Sequence, residues 1–94
     1  IVFVTGIQND KNIPLILKTI IPLTSAIIFT KSKNEKASSP IRLLRIFNNI
    51  NQNKSIKTEI IENPKKALNY AKKIAGKNGL VVVAGSVYLA GEMI

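Results

Sequence analysis

The sequence predicts an α/β fold, a three-layer sandwich with a mostly parallel sheet, and three observations lead there. Short β-branched runs alternate with proline-initiated amphipathic stretches along all 94 residues, and parallel strands need such crossovers. The strand-like runs end in small or hydroxyl residues, at Thr5-Gly6, Thr30 and Gly85-Ser86. In open α/β sheets that carboxyl end is where ligands sit. The third observation is an apolar fraction of 46%, which fits one globular core and not a disordered chain. Helices on both faces and right-handed crossovers complete the expected architecture.

Residues 1–5 read as a fully buried strand, bounded by Gly6. Asn12 is placed to cap a helix over 12–21, with Pro14 in its first turn and Pro22 just past its end. Residues 26–30 form a second buried strand, and the polar stretch 31–38 reads as a loop. Ser39-Pro40 opens a second helix to about Ile50, with Ile41, Leu44, Phe47 and Ile50 as its apolar face and Arg42, Arg45, Asn48 and Asn49 toward water. A strand is expected over 56–61. Asn63-Pro64 then starts a third helix with Ala67, Leu68, Ala71, Ile74 and Ala75 inward and Lys65, Lys66, Lys72 and Lys73 outward. Gly76 and Gly79 let it stop and turn. Residues 80–84 are the fourth strand, and a further helix is expected from Ser86 onward.

Composition narrows the chemistry. Cysteine and histidine are both absent, which removes disulfides, thiolate metal sites and the usual neutral-pH general base. No apolar run reaches transmembrane length and no signal peptide is visible, so a cytoplasmic location is the expectation. The chain opens in a strand without an initiator methionine and stops within an apolar segment, which predicts that longer sequence precedes Ile1. A net charge of +9 raises nucleic-acid binding as a reading. The lysines are scattered, however, and few aromatics accompany them, so a solvated surface is the favoured explanation.

Two strands deliver Lys11 and Ser86 to what the pattern places as one rim, a pair suited to a small anionic ligand. Lys11, beside Asp10, lies at the start of the first helix, where backbone N–H groups also favour anions. Gly85 permits close backbone approach, and Ser86 can cap a helix, bind a ligand, or do both. Thr30 and Lys36 bring a second hydroxyl and ammonium toward the same edge. A serine nucleophile finds no base here, and neither a triphosphate-cradling loop nor a dinucleotide glycine pattern is present.

Together these stretches resemble the C-terminal domain of folylpolyglutamate synthase/dihydrofolate synthase, a branch of the Mur ligase superfamily. The carrying residues are the strand followed by G-x-x-x-D-K at Gly6, Asp10 and Lys11, and Thr30 at the end of strand two. To these add the N-P-x-x-A-L-x-x-A helix from Asn63 and the closing V-V-V-A-G-S-V-Y-L-A-G-E from Val81 through Tyr88 to Glu92. The chain departs from the pattern at Asn12, where the family has an acidic residue, at Lys36 for an arginine, and at Ala84 for a threonine. The resemblance also implies a further strand and helix at the start of the domain, before Ile1.

The resemblance implies a Rossmann-like domain of a ligase that joins glutamate to a folate-type acceptor through an acyl phosphate. It implies that Lys11, Ser86, Thr30 and Lys36 bind glutamate, supported by Gly6, Asp10, Gly85 and Tyr88, with no catalytic or metal-ligating residue in the chain. ATP and Mg2+ would be held mainly by N-terminal and central domains in cis, so the fragment alone is expected to be inactive. Apolar sheet surface left bare by the missing strand and helix predicts self-association or marginal stability. A stand-alone small-anion module and, behind it, a basic nucleic-acid-binding domain are the alternatives.

Overall fold

The computed structural model describes residues 1–85 and Gly91. Four strands, β1 (Val2–Thr5), β2 (Ala26–Phe29), β3 (Lys57–Ile60) and β4 (Val81–Ala84), form one sheet in the order β3-β2-β1-β4. Every neighbouring pair is parallel, with Val2 opposite both Ala26 and Val81. The helices are α1 (Ile13–Ile20), α2 (Pro40–Ile50) and α3 (Pro64–Ala75). A 3-10 turn over Ile21–Leu23 takes in Pro22, so the chain tightens after α1 before leaving it. None of these helices is long and apolar enough to cross a membrane.

Alternation along the strands divides the core into two layers, one on each face of the sheet. Phe3, Ile27 and Phe29 point toward α1 and α2, where they meet Leu17, Leu43 and Phe47. The Phe29 and Phe47 rings pack edge to face, with centroids 5.7 Å apart. Val2, Val4, Ala26 and Ile28 point the other way, against Ala67 and Ala71 of α3. Two fully buried alanines one turn apart give that helix a smooth surface, and it packs chiefly on the central strand β1.

Each helix starts where a side chain takes up an otherwise unpartnered backbone donor. Asn12 accepts from the Leu15 N–H at 3.2 Å, Ser39 from Arg42 at 3.2 Å, and Asn63 from Lys66 at 3.1 Å. A proline occupies the first turn of all three. Gly76 ends α3 at φ +73°, a left-handed conformation natural to glycine.

Three details differ from the sequence reading. Ile41 is 54% exposed, and α2 buries Pro40 and Leu43 beside the expected Phe47. Ile74 is likewise exposed on α3, where Ala67 and Ala71 form the buried line. β4 is less buried than its all-apolar sequence implies, because it lies beside β1 with no further strand beyond it among the described residues. The helix expected from Ser86 onward falls, apart from Gly91, outside the described residues.

Candidate functional site

The order of the strands locates the site. From central β1 the chain moves outward through β2 to β3, then returns across β1 to lay down β4 on the other side. The ends of β1 and β4 therefore lie side by side at a reversal point, and the crevice outside such strand ends is the usual ligand position in open α/β sheets. Gly6 follows β1 and Gly85 follows β4. Gly85 adopts φ +119°, and a Cβ there would run into the Gly6 carbonyl oxygen. The two strand ends approach so closely that only glycine fits at Gly85.

Hydroxyl groups fasten the floor of this rim. Thr5, fully buried, donates from Oγ1 to the Ala84 carbonyl at 3.0 Å and so joins the ends of β1 and β4. Thr30, also fully buried, donates its N–H to the Thr5 carbonyl at 2.9 Å and its hydroxyl to Glu62 at 2.8 Å. Thr30 is thus committed to holding β2 against its neighbours at the level where the strands end. Beyond it, Lys31 lies 3.8 Å from Glu62, a surface pair of small energetic weight.

Above the floor, the loops after β1 and β2 are laced together. The Asn9 N–H donates to the Lys36 carbonyl at 2.7 Å and the Ser38 N–H to Ile7 at 2.9 Å, flanking an antiparallel bridge between Gln8 and Ala37. Lys11 stays in a turn closed by its own N–H to the Gln8 carbonyl at 3.1 Å. Asn34 receives the Lys36 N–H on its side chain at 2.9 Å. Lys11, Asp10 and Lys36 are all exposed, so both ammonium groups rise from a fixed backbone into solvent.

Lys11, Lys36, Thr30, Gly6 and Gly85 therefore gather at the carboxyl end of the sheet, as the sequence reading places them. Ser86 directly follows Gly85 in sequence, but it and Tyr88 lie outside the described residues. Sequence reasoning passed over Asn9, Ser38 and Arg42, which join the loops; partners separated by 33 positions leave no local pattern to read. An open depression of about 390 Å³ beside Tyr70 and Ile74 lies along the bodies of β2 and β3, not at their ends.

Chemically, the rim offers the exposed ammonium groups of Lys11 and Lys36 over a floor fastened by Thr5 and Thr30. Among the described residues no group of histidine, cysteine, aspartate or glutamate side chains could hold a metal ion. Such a rim can bind and orient an anion; among the described residues it contains no base–nucleophile pair.

This is a Rossmann-like α/β domain whose β1 and β4 ends meet at its strand reversal. No protein-family model matches the chain, and no curated protein matches it. Solved structures do. A Mycobacterium tuberculosis folylpolyglutamate synthase complexed with ADP and AMPPCP superimposes with a TM-score of 0.79 at 22% identity, over 97% of this chain and 22% of that one. A folylpolyglutamate synthase from Thermotoga maritima gives 0.75 at 24% identity, over 98% of this chain and 20% of that one. The fold is therefore that of a domain of folylpolyglutamate synthase, and the chain spans about a fifth of those enzymes' length.

Proposed function

We propose that this chain is the glutamate-positioning C-terminal domain of an ATP-dependent ligase that adds glutamate to a folate-type acceptor. The observation that carries the reading is the crevice between β1 and β4. There Gly6, at the head of the segment that carries Asp10 and Lys11, meets Gly85 of the closing motif, in a fold shared along nearly the whole chain with folylpolyglutamate synthase. Lys11 supplies a point charge for a glutamate carboxylate, and Ser86 a hydroxyl donor beside it. Lys36 adds positive potential from the neighbouring loop, and Thr30 supports the floor.

The domain's contribution is to hold the attacking amine in line with an activated carboxylate, which lowers the barrier by orientation alone. The described residues carry no metal-ligating cluster, and the sequence has no phosphate loop. Nucleotide and Mg2+ therefore belong mainly to other domains of the same polypeptide, over which this one closes. The test is an assay of the full-length chain with ATP, glutamate and a reduced folate, with products resolved by mass. Glutamate addition by the full-length protein and none by the 94-residue domain is the expected result. Turnover by the domain alone, or full-length protein indifferent to glutamate, would contradict the proposal.

A further inference from the structure

Arg42 lies in the first turn of α2, on the face that the sequence pattern assigns to water. Its guanidinium does not simply extend into solvent. Nη1 donates to Asn9 Oδ1 at 2.9 Å and to Ser38 Oγ at 3.2 Å. One nitrogen carrying two hydrogens can serve both acceptors, and because arginine only donates, the Asn9 amide oxygen must be the atom facing it. Asn9 is the residue whose N–H holds the Lys36 carbonyl, and it stands two positions before Lys11. Ser38 stands two positions after Lys36, and its N–H holds Ile7. A single side chain therefore ties together the two loops that carry Lys11 and Lys36, from a helix whose own start is fixed by the Ser39 cap.

We infer that Arg42 is a positioning residue that sets the spacing of the Lys11 and Lys36 loops, and hence the fit of the anion-binding rim, without touching the ligand. The inference rests on the glutamate reading for the identity of that anion, but the lacing of the loops stands apart from it. The two hydrogens of Nη1 are held in the plane of the guanidinium, so both bonds come from one nitrogen in a fixed geometry that a freely rotating lysine ammonium meets only in part. Asn9 acts in series with it, so the two side chains form one strut.

The test uses the full-length protein with Arg42→Ala, Arg42→Lys, Asn9→Ala, the Arg42/Asn9 double variant and Lys11→Ala. Two readouts are taken: KM for glutamate and for ATP, and peptide-level hydrogen exchange across residues 7–11 and 34–38. Arg42→Ala is expected to raise exchange in both loops and to raise glutamate KM about three- to tenfold, the size of one hydrogen bond's worth of alignment, with ATP KM unchanged. Arg42→Lys should recover part of that loss. The double variant should be little worse than either single one. Unchanged exchange in Arg42→Ala overturns the strut. Normal glutamate KM in Arg42→Ala, alongside a raised one in Lys11→Ala, overturns its role in the rim. Normal glutamate KM in Lys11→Ala overturns the glutamate reading and with it the ligand half of this inference, and the exchange data still decide the strut.

Discussion

Single residues show where the physics is unforgiving. Gly85 combines a positive φ with a backbone neighbour where a Cβ would sit, so Gly85→Ala is expected to cost about 1–3 kcal/mol, read as a lowered unfolding midpoint. Gly85 was legible in sequence because a glycine after an apolar strand signals just such an approach. α2 was less legible. Ile41, Leu44, Phe47 and Ile50 are spaced by three, and at 3.6 residues per turn each such step walks back about 60° around the helix. The row therefore ends on the opposite side from where it began. Leu43 and Phe47, one full turn apart, define the face that actually meets Phe29. Leu43→Ala should destabilise by about 2–5 kcal/mol through the cavity it leaves, whereas Ile41→Ala should change stability by about 0.5 kcal/mol or less. Equal effects in denaturant titrations would contradict the assigned face.

At the level of elements, strand and helix order could be read from the sequence because each helix announces its start with Asn12, Ser39-Pro40 or Asn63-Pro64. Strand placement within the sheet could not. The stretches 56–61 and 80–84 both read as strands without a place in the sheet, and β3 proves to be the outer strand beside β2, with Lys57, Thr58 and Glu59 all exposed. Register puts Lys57 opposite Ala26 and Glu59 opposite Ile28, so two charged side chains border the edge on the α3 face. Charges at such an edge discourage another strand from adding to it. Replacing Lys57 and Glu59 together by valine is expected to raise light scattering on concentration while leaving the monomer's secondary structure intact by circular dichroism. A double variant that stays as monodisperse as the parent would show that these charges do not guard the edge.

The whole molecule carries two features that bear on its partners. Its +9 charge comes from 14 lysines and arginines against 5 acidic residues, spread over loops and helix faces. Binding to single-stranded or duplex DNA is expected to be weak and to vanish at moderate salt, as diffuse charge attraction does. Saturable nucleic-acid binding that survives at moderate salt would favour the nucleic-acid reading. The second feature is an open apolar groove of about 410 Å³ between α1 and β4, where Phe3, Ile16 and Ala84 meet Leu15 and Leu23, each more than half exposed. Apolar surface of this kind predicts concentration-dependent association of the isolated domain, measurable by sedimentation. A strictly monomeric, stable domain across that concentration range would show that the surface is tolerated.

The rim itself was partly visible beforehand. Lys11, Thr30, Lys36 and Gly85 could be assigned to one edge because each follows a strand of a parallel sheet, whereas the lacing through Asn9, Ser38 and Arg42 depends on tertiary contacts with no periodic trace. The most direct measurement of the central claim is glutamate dependence in the full-length protein carrying Lys11→Ala, with Ser86→Ala as the companion variant. Loss of a charge-assisted contact worth about 1.5–3 kcal/mol corresponds to an increase of about ten- to over a hundredfold in the apparent glutamate dissociation constant. Lys11→Ala should show that rise and Ser86→Ala a smaller one, with ATP dependence little changed in both. An unaltered glutamate dependence in both variants would contradict the account.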